Sequence, residues 1–224
     1  MSKPLKIAIV DYGVGNLFSI QNACKEVGLD VKTTNVVADI KRSDAVILPG
    51  VGAFSHAMQA LYDDNLVQVL KDVVTAGKPL LGICLGMQLL MTDSTEFGST
   101  PGLNLISGSV KHFNADKGRI VRVPQISWNT LSPRLEDVNT NPWKGSILEG
   151  LCKSEFMYFV HSYYVEPEDD GDTLARTTYG DKSYCSVVNK DNVVGCQFHP
   201  ERSGPAGLTI YRNFARMLKN KNWD

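Results

Sequence analysis

No Cys-x-x-Cys pair occurs in the 224 residues, and the five cysteines (Cys24, Cys84, Cys152, Cys185, Cys196) are an odd number. That pattern excludes a disulfide framework and a structural zinc site as expectations. Neither sign of charge prevails: 23 Lys plus Arg stand against 24 Asp plus Glu, a net charge of -1. The basic footprint of a nucleic-acid binder is therefore missing. No apolar run approaches the ~20 residues of a membrane span. The run from Ile7 to Val10 stops at Asp11, too short for a signal peptide, so a cytoplasmic protein is expected. The phosphate-cradling pattern Gly-x-x-x-x-Gly-Lys-[Ser/Thr] is absent too. No metal and no cofactor are expected.

What is present is an alternation of strand and helix signals. Lys6–Val10, Val31–Thr34, Ala45–Leu48 and Leu80–Ile83 read as strands. Between them lie helical patterns carrying Leu17, Ile20, Cys24 and Val27, and another running to Val74. Leu85 to Met91 reads as a short helix. Such spacing means βαβ units and a mostly parallel central sheet flanked by helices, an α/β fold. In the second half, Arg119–Val123, Glu155–Val165, Tyr184–Val188 and Val193–Phe198 read as strands. Leu208, Tyr211, Ala215 and Leu218 mark a last helix, and residues 92–118 and 132–150 read as loops. With no long linker and no repeat, one domain over residues 1–224 is expected. Three glycine-bearing turns follow strand ends, at Asp11–Asn16, Pro49–Phe54 and Gly82–Gly86. In open parallel sheets that edge is where ligands sit.

Gly82-Ile-Cys-Leu-Gly86 has the form of a nucleophile elbow with sulfur in place of a hydroxyl. Glycines on both sides admit a sharp turn in which a Cβ would collide with the adjoining strand and helix. Cys84 would sit at a helix N-terminus, where free N–H groups and the dipole favour thiolate. The Leu85 N–H would point toward an oxyanion forming beside the sulfur. Cys24, Cys152, Cys185 and Cys196 lack the glycine flanks and read as buried small hydrophobes.

A nucleophilic Cys needs a base, and only four histidines exist. His199 ends a predicted strand in Gln197-Phe-His-Pro-Glu201. Glu201, two residues on, falls on the same side of extended backbone and would hold one imidazole nitrogen. Cys84, His199 and Glu201 thus form a candidate acyl-transfer triad. His161, in Phe159-Val-His-Ser-Tyr163, reads either as a substrate contact or as a hydrogen-bonded core histidine. His56 and His112 read as ordinary residues.

With these segments the sequence resembles the class I (triad) glutamine amidotransferases. Asp11-Tyr-Gly-Val-Gly-Asn16 and Pro49-Gly-Val-Gly-Ala-Phe54 narrow the resemblance to the glutaminase-subunit branch of imidazole glycerol phosphate synthase and its relatives. The resemblance implies a flavodoxin-like amidotransferase domain that hydrolyses glutamine and channels the ammonia to a second chain. That partner, a (β/α) barrel cyclase, would form a heterodimer with it and make imidazole glycerol phosphate and AICAR in histidine biosynthesis. It also implies an oxyanion hole from Leu85 and Gly52 and a glutamine site using Gln88, Glu96, His161, Ser162 and Tyr163. The Glu96 assignment spans a variable loop. Trp128 and Asn129 are expected at the partner interface. The family commonly carries Pro-His-Met-Gly-Trp-Asn there, whereas this chain reads Pro124-Gln-Ile-Ser-Trp-Asn129. A glutaminase serving another synthase, such as one amidating surface sugars, would keep the triad and alter this segment. A stand-alone Cys hydrolase and an interaction subunit with a vestigial triad are the other readings.

Overall fold

The computed structural model describes residues 5–114, 121–134 and 141–220. Its first half runs β1 (Lys6–Val10), α1 (Leu17–Glu26), β2 (Asp30–Thr34), α2 (Val37–Arg42), β3 (Ala45–Leu48), α3 (Phe54–Asp63), α4 (Leu66–Thr75), β4 (Leu80–Ile83) and α5 (Leu85–Leu89). Then come β5 (Asp93–Ser94), β6 (Thr100–Pro101), β7 (Gly108–His112), β8 (Gln125–Thr130), β9 (Ser132–Pro133), β10 (Phe156–His161) and β11 (Tyr163–Pro167). β12 (Thr173–Tyr179), β13 (Lys182–Lys190), β14 (Val193–Cys196) and α6 (Gly204–Asn220) complete the chain.

The main sheet has the order β2-β1-β3-β4-β14-β13-β11-β7-β5-β6. Its first five strands are parallel, and the pairings of β13 with β14 and of β11 with β13 and β7 are antiparallel. Alternate residues of the central strands feed two cores. Ile7, Ile9, Ala45 and Ile47 face α1 and α6 through Ile20, Cys24, Tyr211 and Phe214. Ala8, Val10, Val46 and Leu48 face α3 and α4 through Phe54, Leu61, Leu66 and Leu70. Coverage on both faces is why these strands are continuous apolar runs.

Several readings are corrected. The long helix before Val74 is two, because Asn65 stands in the left-handed conformation at φ 57°, which Asn adopts more readily than most residues. Residues 92–118 contain β5, β6 and β7, and 132–150 contain β9. These strands are short or bury little, as in β7, where Gly108 and Val110 alone point fully inward. Arg119 and Ile120 lie outside the described residues, and Val121–Val123 is not a strand. The strand begins at Gln125, and two of its apolar side chains, Ile126 and Trp128, face outward. The single strand read over Glu155–Val165 breaks at Ser162 into β10, which pairs with β8 in a separate ribbon, and β11 of the main sheet. Cys152 is exposed rather than buried, because it lies in the turn segment before β10, outside both cores.

Gly86 decides whether α5 can lie against β3. A Cβ there would stand 1.9 Å from the Leu48 carbonyl oxygen. Helix propensity alone favours Ala over Gly by about 1 kcal/mol, yet the clash is with backbone that cannot step aside. Gly86→Ala is expected to cost more than about 3 kcal/mol in urea unfolding. Gly77→Ala, where no atom lies within 4 Å but φ is +77°, should cost only about 1 kcal/mol.

Candidate active site

β1, β3, β4 and β14 all deliver their carboxyl ends to one edge. Cys84 leaves β4 with φ 55° and ψ -111°, a strained conformation for a side-chain-bearing residue. Its N–H donates to the Cys196 carbonyl at 2.8 Å, so the elbow is bonded to the end of the neighbouring strand. A Cβ on Gly82 would stand 2.8 Å from the Gly86 carbonyl oxygen, the close approach the glycine flanks suggested. The sulfur lies 3.8 Å from the Gln197 amide nitrogen and 3.9 Å from the Val160 carbonyl.

Two residues past Gln197, His199 is 4% exposed. Its Nδ1 is 2.8 Å from Glu201 Oε1, and Asn16 Nδ2 donates to the same oxygen at 3.3 Å. Glu201 meets the ring because Pro200–Arg202 forms one 3₁₀ turn. The expected extended backbone holds only for His199 itself, at φ -102° and ψ 95°. The buried Nε2 has no hydrogen-bond partner among the described residues. Burial disfavours the charged imidazolium, but Cys84 and Glu201 outweigh it and push the His199 pKa up to about 10.

Cys84 and His199 share a cavity of about 600 Å³ with Val51, Gly52, Leu85, Gln88, Glu96, His161, Ser162 and Tyr163. Every predicted catalytic, oxyanion and glutamine-contacting residue except Glu201 lines it, and Glu201 lies behind His199. Leu85 is the first residue of α5, where N–H groups lack intrahelical acceptors. Gln88 donates to the Tyr163 carbonyl at 2.9 Å and to Gln197 Oε1 at 3.0 Å. Both amide hydrogens are thereby used, leaving its oxygen as the group offered to a ligand. Glu96 accepts from the Phe54 N–H at 2.5 Å, so one carboxylate oxygen closes the start of α3.

His161 is buried within a ring of aromatic side chains and bonds through both nitrogens, to the Tyr163 carbonyl at 2.7 Å and the Tyr184 hydroxyl at 3.2 Å. Burial lowers its pKa to about 4, so it is neutral. It fits both readings offered for it, a satisfied histidine on a cavity wall. His112, read as ordinary, also lines the cavity, as do Phe97 and Pro124. Asn16 and Gln197 were missed as well. Gln197 carried a signal, since it stands two residues before His199 at a strand end.

Trp128 is 53% exposed and forms an outward face with Ile126, Phe156 and Tyr158 of the β8–β10 ribbon. Asn129 alternates to the opposite side and donates to the Thr178 carbonyl at 2.9 Å. It ties the ribbon to β12 and does not share the exposed face.

The glutamine amidotransferase class-I family model matches residues 8–218. The chain belongs to that family. It is 45% identical to the imidazole glycerol phosphate synthase subunit HisH of Bacillus velezensis, over 94% of this chain and 96% of that protein. Identity to the protein of the same name from Syntrophotalea carbinolica is 42%, over 94% of this chain and all of the relative. A crystal structure of a glutamine amidotransferase superposes with a TM-score of 0.71 at 20% identity, covering 95% of this chain and 98% of the other. The structure of PurLQS from Thermotoga maritima gives 0.67 at 18% identity, over 96% of this chain and all of the matched one. At those identities the structural likeness speaks for the α/β amidotransferase fold alone. Among the described residues no group of three or more His, Cys, Asp or Glu is placed to hold a metal, and no helix is long and apolar enough to cross a membrane.

The two buried histidines should titrate in opposite directions. His199 is expected to hold its proton well above the ordinary 6.5, and Glu201→Gln to lower its pKa. Its contribution to stability is complete below 6.5 and fades as pH rises toward about 10. His161 contributes with the other sign, losing stability as pH falls from 6.5 toward about 4. Imidazole NMR titration of the wild type and of Glu201→Gln checks both.

Proposed function

We propose that this chain is the glutaminase subunit of an imidazole glycerol phosphate synthase, acting in the cytoplasm as one domain over residues 1–224. The observation that carries the reading is Cys84, held at φ 55° in a glycine-flanked turn, sharing one cavity with the Glu201-bound His199. With its thiol proton already passed to His199, whose raised pKa holds it there, Cys84 attacks the side-chain carbonyl carbon of glutamine. The oxyanion forms against the Leu85 and Gly52 N–H groups. Collapse breaks the C–N bond, with the His199 proton going to the leaving nitrogen, so ammonia departs and a thioester remains. Water then attacks the thioester as His199 removes its proton. Collapse releases glutamate and expels the Cys84 sulfur as thiolate beside the protonated His199, the state in which the cycle began. Glu201, steadied by Asn16, orients the ring and supports the imidazolium. Gln88 presents its oxygen to the substrate, and Glu96 is suited to hold its ammonium group. His161, Ser162 and Tyr163 form the facing wall.

The ammonia serves a second chain, a reading supported by the relatives, which are named as subunits of a synthase. The exposed ribbon face around Trp128 is the docking surface for a (β/α) barrel cyclase. Trp is suited to anchor such a contact, and Val160 links the two regions, since it lines the cavity and pairs with Ile126. A synthase of different chemistry is the second reading, favoured by the departures at Gln125, Ile126 and Ser127.

Cys84→Ala should abolish glutamine hydrolysis in the complex and block labelling by a glutamine-like electrophile, with the thermal midpoint little changed. His199→Ala should lose nearly as much activity and Glu201→Gln less, since triad members act as a unit. Trp128→Ala should lower glutamine-driven synthase activity several-fold while ammonium-driven activity stays. Its stability should move by no more than about 0.5 kcal/mol, as for other exposed side chains. Equal loss of both activities removes Trp128 from the ammonia route, and failure to bind the cyclase favours the second reading.

A further inference from the structure

Behind the cavity wall lies a polar chain that the reaction does not use directly. Gln125 is 0% exposed and Tyr184 2%, which is costly for polar groups unless their hydrogens are placed. The Tyr184 hydroxyl lies 3.1 Å from the Gln125 carboxamide and 3.2 Å from His161 Nε2. Counting hydrogens orders the chain. His161 is neutral and carries one hydrogen. The Tyr163 carbonyl, 2.7 Å from Nδ1, accepts only, so that hydrogen sits on Nδ1. Nε2 is then a bare acceptor, and the single Tyr184 hydrogen goes to it. In the structure the Tyr184 hydroxyl donates to Gln125 Oε1 and Gln125 Nε2 faces Ser127 Oγ. That arrangement would need a second Tyr184 hydrogen once the first goes to His161 Nε2; turning the carboxamide over brings its NH2 to the phenol oxygen. The carboxamide oxygen then faces Ser127 Oγ, 3.5 Å from the amide. At the other end the Tyr163 carbonyl also accepts from Gln88.

Taking the glutaminase reading as its basis, we propose that Gln125 and Tyr184 are positioning residues for glutamine. Through His161 they fix the Tyr163 carbonyl, and through that carbonyl the Gln88 carboxamide that faces the substrate. Neither residue reaches the reacting atoms, so the effect falls on binding.

The test uses the complex with its cyclase partner and compares wild type, Gln125→Met, Tyr184→Phe and Gln125→His. Loss of one buried hydrogen bond should raise the KM for glutamine about five- to tenfold, with kcat within about twofold and ammonium-driven activity unchanged. Gln125→His, which returns an N–H donor, should bring KM back toward the wild-type value. The ¹⁵N spectrum of His161 should show a hydrogen on Nδ1 in the wild type and a mixture of tautomers in Gln125→Met. A folded Gln125→Met with unchanged KM and unchanged His161 tautomer overturns the proposal, as does a loss confined to kcat. Should Tyr184→Phe fail to fold, the two Gln125 variants decide. A wild-type complex that hydrolyses no glutamine refutes the glutaminase reading instead, while the His161 spectra still report on the chain of bonds.

Discussion

The parallel pairing of β4 with β14 is the constraint on which the site depends. Cys84 and Gln197 are 113 positions apart in sequence, and only the register of these two strands makes them neighbours. Ile83 stands opposite Cys196, and the next N–H along β4, that of Cys84, bonds to the Cys196 carbonyl. One strand therefore ends in the elbow and the other ends three residues before His199. A slip of one residue would turn every side chain of β14 to the opposite face. Burial on both faces makes such a slip costly, which is how packing far from the chemistry fixes the geometry of the sulfur and the imidazole.

Within that frame the surroundings divide the work of two histidines. Both are buried, and burial alone pushes both toward neutrality. His199 meets the Glu201 carboxylate and the Cys84 sulfur, and the balance reverses. His161 meets a backbone carbonyl and a phenol, neither charged, and the balance stands. The charge of His199 further discourages a proton on His161. Setting nearby titratable groups apart in this way is a common signature of catalytic sites.

The sequence made legible whatever depends on local pattern. β1, β3 and β4 follow from apolar runs bounded by glycine and proline, and the elbow from Gly82 and Gly86. The residue pair His199 and Glu201 was readable from spacing, although a 3₁₀ turn rather than extended backbone joins them. What escaped depends on pairing between distant segments. β8 was missed because Ile126 and Trp128 face away from the core. Asn16 joins the site only through the nearness of the turn after β1 to Glu201, 185 positions away. The break at Ser162 has no apolar signature, since β10 and β11 are both rich in aromatic and β-branched residues.

The β8–β10 ribbon has a consequence outside catalysis. Ile126, Trp128 and Phe156 are each more than half exposed on one small antiparallel ribbon. Contiguous apolar surface of this kind attracts other apolar surface indiscriminately. Left uncovered in solution, the ribbon is a ready site for self-association at high protein concentration. The solubility of the chain therefore limits what residues this ribbon can carry, independently of any chemistry at Cys84.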